Sequence, residues 1–250
     1  MRSELCRFHG AVKLRVLERC AERAGGAPLC LLDLGCGRGG DAEKWRRVGI
    51  EHALGLDPDA AAIDTARARY AHLPAYAFAR EASPADALRL APPGSVDIVA
   101  WMFSVHYLPR ERLRAMLADA ARVLGARGAM CLTFMEGDAV DALLGDDGAF
   151  RNAAIELRRA PDGRVRVRLE HSAYFEGGDS LEHLVRGAHV RALADEAGFD
   201  VEAWPFTEMA RALHPALSED EAAASALNVA LVLHKRPPPP PPPPPPPAPA

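Results

Sequence analysis

The residues best suited to chemistry lie in one short run, Leu31-Leu-Asp-Leu-Gly-Cys-Gly-Arg-Gly-Gly-Asp41. An apolar stretch from Leu29 to Leu34 meets glycines at 35, 37, 39 and 40, and Asp41-Ala-Glu-Lys-Trp45 then reads as the start of a helix. A strand that ends in glycines and feeds a helix brings backbone N–H groups up to a ligand with no side chain in the way. The acid at its head, Asp33, stands where a pyrophosphate-binding turn carries none, and a carboxylate there suits a cation. Asp57 closes the next apolar segment, 24 residues further on, where a doubly wound sheet places the acid that holds ribose hydroxyls. A ligand with a ribose and a positive charge fits both acids. S-adenosylmethionine is such a ligand, with a cationic sulfonium and ammonium, so the pair favours a methyltransferase over a dehydrogenase.

The elements that must position these residues follow from periodicity. Val12, Val16, Leu17 and Cys20 recur at helical spacing, which predicts a helix over 10–24 ended by Gly25-Gly26. Strands are expected at 29–34, 53–56, 75–79, 96–103 and 129–134, with helices at 41–48, 58–70 and 109–124, the last stopped by Gly125 and Gly128. The run Val96-Asp-Ile-Val-Ala-Trp-Met-Phe103 is nearly all apolar, as in a strand buried on both faces. Alternating strand and helix predicts a parallel α/β sheet. The later part differs: 164–170 alternates with period two, 188–198 reads as a helix, and 200–204 and 227–234 read as strands. Ser218-Glu-Asp-Glu221 carries a helix-start signal.

With 250 residues, 49% of them hydrophobic, the chain can bury one full core, expected over 1–236. Residues 237–250 form a proline tract that has no N–H groups to donate to a sheet, expected as an extended tail that either docks a polyproline-binding domain or has no ligand. A net charge of −4 argues against broad nucleic-acid binding but leaves room for a local pocket for one phosphorylated nucleotide. Five scattered cysteines without a CxxC pair point to reduced thiols and no metal site. No run approaches membrane-spanning length, so no membrane association is expected, and an intracellular protein is, in the nucleus or alternatively the cytoplasm. Of the 30 basic residues only Lys13, Lys44 and Lys235 are lysines, and two of them flank the glycine turn.

Over roughly residues 8–235 the chain resembles the mRNA cap (guanine-N7) methyltransferase family. The matching pieces are Phe8-x4-Lys13, the run from Leu32 through Gly-Gly-Asp-x3-Lys44-Trp45, Asp57, Arg69-Tyr70, Phe103-Ser-Val-His106-Tyr107, Glu182-His-Leu-Val185 and Phe206-x-Glu208. The resemblance implies a class I, Rossmann-like fold, a seven-stranded mostly parallel sheet with helices on both faces and a C-terminal antiparallel hairpin. It implies that Lys13 reaches the carboxylate of S-adenosylmethionine and that Asp33, Gly35, Cys36 and Gly37 form the cofactor turn. Asp57 then binds the ribose, and Met102 lies on the adenine side, where a glutamine is common. For the substrate, capped RNA, it implies that His106 and Tyr107 flank the guanine and that Glu182 holds its Watson–Crick edge. Lys44 either contacts cap phosphate or pairs with Glu43 or Asp41 on its own helix. Arg186 is a candidate for further phosphate charge.

The residues agree with that chemistry. Guanine N7 bears an in-plane lone pair and no proton, so methyl transfer needs alignment and exclusion of water but no general base. Glu182 would accept from N1–H and the exocyclic amine, a pairing that separates guanine from adenine. The chain departs from the family pattern at His9-Gly10, Met102, Arg186-Gly187 and Asn228, and the acid for the adenine amine has two candidates, Glu81 and Asp86. Two other functions stay open: a small-molecule methyltransferase of the same fold, and a non-catalytic capping scaffold acting through the proline tract. Triphosphatase and guanylyltransferase activities are expected on separate chains.

Overall fold

The computed structural model describes residues 3–26, 28–81, 88–89, 91–169 and 178–237. The proline tract beyond Pro237 and the candidate acid Asp86 lie outside these residues.

Helix α1 (Glu4–Ala24) starts at Ser3, whose side chain accepts the N–H of Cys6, and stops at Gly25 in the left-handed region. Its buried residues Leu5, Phe8, Val12, Val16 and Cys20 fall every three or four positions, which lays one face on the sheet. The helix begins before the expected 10–24 span because Leu5 and Phe8 extend the apolar face past Gly10. One internal glycine costs a helix only about 1 kcal/mol, less than that face gains by burial.

Strand and helix then alternate through β1 (Leu29–Leu34), α2 (Ala42–Arg47), β2 (Ile50–Asp57), α3 (Ala60–Arg69), β3 (Tyr76–Arg80), β4 (Val96–Met102), α4 (Leu113–Val123) and β5 (Leu124–Met135). The helix expected over 109–124 is divided: a 3-10 turn, Arg110–Arg112, precedes α4. Gly125 and Gly128 do not lie in a connecting loop. They fall inside β5, where the ladder with β4 jumps from Val96 opposite Leu124 to Ile98 opposite Ala129, so the glycines form an irregularity in the strand.

The chain continues through α5 (Gly137–Leu144), β6 (Ala149–Arg151), β7 (Ile155–Arg159), β8 (Val165–Leu169), β9 (Ser180–Glu182), α6 (Gly187–Glu196), β10 (Phe199–Pro205), α7 (Phe206–Leu213), α8 (Glu219–Ala226) and β11 (Asn228–Lys235). Helix α8 has the capping box read from Ser218 and Glu221.

Seven strands form one sheet in the order β10-β11-β5-β4-β1-β2-β3, parallel from β3 to β5, with β11 antiparallel to β5 and β10 antiparallel to β11. This is the class I methyltransferase arrangement with its C-terminal hairpin. One apolar cluster, with Trp101, Leu117, Phe134 and Phe199, packs α4 and α6 on one face. Another, with Phe8, Trp45, Ile63 and Phe206, packs α1, α2, α3 and α7 on the opposite face. Each such side chain, fully buried, contributes on the order of 1.5–3 kcal/mol.

A second sheet, absent from the sequence reading, has the antiparallel order β6-β7-β8-β9. The expected wet-faced strand over 164–170 is its β8: Val165 and Val167 are buried, and Arg166 and Arg168 are exposed. Its apolar face shares a third cluster with Leu5, Val140, Leu144 and Leu227. The last strand, β9, brings Glu182 to the turn after β4 through the N–H of His183, which donates to the carbonyl of His106 at 2.8 Å.

Candidate active site

The strand order reverses between β1 and β4, and in an open α/β sheet the crevice at the carboxyl ends of such strands is where ligands bind. Asp33 lies in register with Ala100 of β4 and Gly55 of β2, one residue short of the end of β1. It is buried, and burial pushes its carboxyl well above the usual range, with the nearby Asp41 adding to the effect and Lys13 opposing it.

The turn after β1 is built as the glycines suggest. The N–H groups of Gly35 and Cys36 both donate to the carbonyl of Leu56, which locks the turn onto the end of β2. Gly35 has φ 73°, and a Cβ there would lie 2.5 Å from the Ser104 side chain, so only glycine fits. Ser104 occupies that space and donates its hydroxyl to the carbonyl of Leu34. Gly37 donates its N–H to Asp57 at 2.8 Å, and the other Asp57 oxygen takes the N–H of Asp59 at 2.9 Å. The two acids found by spacing therefore meet one turn. Cys36 is buried, and burial followed by the charge of Asp33 pushes its thiol up, so it packs as a small apolar group.

Lys13 and Lys44 converge on one carboxylate. The Asp41 oxygens accept from Lys13 at 2.8 Å and from Lys44 at 2.7 Å. Burial raises the Asp41 carboxyl, but the two ammonium groups outweigh it and hold it at about 2. Lys13 also lies over the Phe103 ring, 5.4 Å from its centroid. Phe103, immediately after β4, has a positive φ of 57°, a strained conformation for an aromatic residue and common beside ligand sites. His9 stacks on the same ring at 5.2 Å and 11°, and its Nε2 meets the Ser225 hydroxyl at 3.1 Å. Met102 is buried at the end of β4. Glu81, just past β3, donates its N–H to the carbonyl of Asp57.

The base-side residues form a second cluster. His106 and Tyr107 sit in the 3-10 turn Val105–Tyr107, with their rings edge to face at 4.4 Å. His106 is buried, and burial drives its imidazole down to about 3, so it is neutral. Its Nε2 is 3.6 Å from Glu182 Oε1, too long for a hydrogen bond, and its buried Nδ1 has no partner among the described residues. Glu182 is buried, and burial raises its carboxyl to about 7, opposed by the Ser180 hydroxyl. Tyr107 leaves 53% of its surface open, and partial burial, followed by the Glu182 charge, raises its hydroxyl to about 12.

Two of the residues read as substrate contacts do not join this second cluster. The Arg186 guanidinium binds Asp138 and Asp141 on α5, and the next residue, Gly187, donates its N–H to Glu136. Lys44 is held on Asp41, the pairing weighed against a phosphate contact. Asn228 caps the end of α8, donating to the carbonyls of Ala224 and Ser225. Ser104 and Ser180 were not singled out by the sequence reading. Ser104 adjoins the Phe103 motif, and Ser180 stands two residues before Glu182 on one strand, a spacing that puts both side chains on one face.

The residues of the glycine turn fit S-adenosylmethionine by their chemistry. Asp57 would accept from ribose hydroxyls, buried Asp33 would favour a cationic group, and the Lys13 ammonium would suit a ligand carboxylate. Among the described residues no cluster of histidine, cysteine, aspartate or glutamate is placed to hold a metal ion. No described helix is long and apolar enough to cross a membrane.

Residues 31–128 match the model of a methyltransferase domain. An mRNA cap guanine-N(7) methyltransferase of Schizosaccharomyces pombe is 30% identical over 145 residues, covering 55% of this chain and 40% of that protein. One from Pyricularia oryzae is 25% identical over 199 residues, covering 64% of this chain and 40% of that protein. The chain spans about two fifths of the length of these curated relatives. The solved S-adenosylmethionine-dependent methyltransferase of Mesorhizobium loti has the same fold, with TM-score 0.58 at 16% identity, covering 83% of this chain and 91% of that one.

Proposed function

We propose that this chain, which has the class I methyltransferase fold, methylates N7 of the guanine cap at the 5′ end of mRNA with S-adenosylmethionine as donor. The observation that carries the reading is the cluster just after β4, where the exposed Tyr107 ring stands edge to face with buried His106, whose Nε2 lies 3.6 Å from the buried Glu182 carboxyl. A flat purine stacked on that ring would present one edge to Glu182 and another toward the donor. The fungal relatives carry the cap-methyltransferase name, which supports the same substrate.

S-adenosylmethionine supplies an electrophilic methyl group, which N7 takes with its lone pair as the bond to sulfur breaks, leaving S-adenosylhomocysteine. Lys13, Asp33, the Gly35–Gly37 turn and Asp57 would hold the donor. Glu182 would accept the guanine N1–H and amine, and Tyr107 would stack on the base. The product base gains positive charge, which the buried carboxylate of Glu182 and the face of Tyr107 both favour. No side chain needs to move a proton, which agrees with a neutral His106. Alignment and exclusion of water do the work.

A small molecule as methyl acceptor is the second reading, and the engagement of Arg186 by Asp138 and Asp141 favours it, because that guanidinium is then withdrawn from phosphate. The test is S-adenosylhomocysteine release on mixing with GpppG-capped RNA, triphosphate RNA and no acceptor. Release with capped RNA alone is expected. Equal release without it contradicts the proposal.

A further inference from the structure

We propose that Ser180 is a positioning residue for guanine recognition, its hydroxyl fixing the Glu182 carboxylate against the base. The inference rests on the cap reading above and deepens it. Ser180 and Glu182 stand two apart on β9, opposite Val167 and Val165 of β8, so both side chains point to the buried face of the small sheet. Ser180 Oγ donates to Glu182 Oε1 at 2.5 Å and also lies 3.5 Å from the Val167 carbonyl.

The arrangement has a chemical consequence. A carboxylate offers about four lone-pair directions, and a guanine edge needs two of them, one on each oxygen. With Ser180 on Oε1 and no hydrogen bond to Oε2 among the described residues, the remaining directions stay open for N1–H and the amine. Burial alone would favour the protonated acid, which accepts poorly and repels a donor edge. Of the groups facing Glu182, Val165 and Val167 are apolar, His106 is neutral and 3.6 Å off, and Tyr107 is uncharged. Ser180 is the neighbour whose hydrogen bond favours the charged form.

The test follows methyl transfer to the dinucleotide GpppG between about pH 5.5 and 8.5, where a carboxyl raised by burial titrates. In Ser180→Ala, KM for GpppG is expected to rise about tenfold near neutral pH, with kcat held within about twofold, the size of one charge-assisted hydrogen bond. The pH at which 1/KM falls to half its plateau should move up by about one unit. KM for S-adenosylmethionine should not change, and Ser180→Thr should restore both the KM and the profile. A wild-type profile in Ser180→Ala overturns the inference, and so does a raised KM whose pH profile stays put. A wild-type protein that does not methylate GpppG at all overturns the cap reading and this inference together.

Discussion

The two halves of the site are built in opposite ways. The cofactor half is nearly contiguous: Asp33, Gly35, Gly37 and Asp41 span nine residues, and the turn closes on Asp57 through hydrogen bonds to backbone N–H groups. The base half joins a turn at 105–107 to a strand that begins at Ser180, on a different sheet. The first half depends on backbone conformation, which glycine and spacing dictate. The second depends on side chains that meet only after the small sheet docks. A change in one should therefore spare the other.

The largest expected effect is at Asp57. Asp57→Ala removes both the proposed ribose contact and the acceptor of the Gly37 N–H, so S-adenosylhomocysteine affinity should fall at least about 100-fold. Calorimetry should show that loss while GpppG still binds, and a variant with undiminished cofactor affinity would break the division into halves. The mirror experiment is Glu182→Gln, where the amide keeps the shape and loses the charge. GpppG affinity should drop about 20-fold and cofactor affinity should stay unchanged. The wild type should also bind GpppG more tightly as pH rises through about 7, where Glu182 ionises, and the glutamine variant should show no such rise.

A smaller effect concerns stability. Asp41 titrates at about 2 in the folded protein, below its ordinary 3.8, so its stabilisation is present above pH 4 and is lost as pH falls toward 2. That difference is worth about 2 kcal/mol. Denaturant midpoints of wild type and Asp41→Asn should accordingly converge by about this amount between pH 5 and 2. A constant gap would mean that the two lysines gain nothing from the carboxylate. The smallest effect is expected from deleting residues 238–250: turnover and melting temperature should not change, whereas a scaffold acting through its proline tract would lose a partner.

The same division explains what the sequence made legible. The span of β1, the elbow and Asp57 could be read from apolar runs, glycines and one spacing, because local rules govern them. The start of α1 and the place of Gly125 and Gly128 could not. Each was settled by burial or by a ladder shift with a neighbouring strand, which local pattern does not contain. His106, Tyr107 and Glu182 were found through the family resemblance, and the structure brings all three together. Arg186 was read as spare phosphate charge. Its capture by Asp138 and Asp141 depends on how α5 lies beside the turn before α6, a relation no single segment encodes. Ser180 went unread because a serine on a short strand has no signal of its own until the carboxylate beside it is known to be buried.

Mapping the methylated atom tests the central claim most directly. GpppG-capped RNA incubated with the protein and S-adenosylmethionine, then digested to nucleosides and analysed by mass spectrometry, should yield N7-methylguanosine from the cap and unmodified internal nucleosides. A methyl group on any other atom, or none on the cap while a metabolite is methylated, would contradict it.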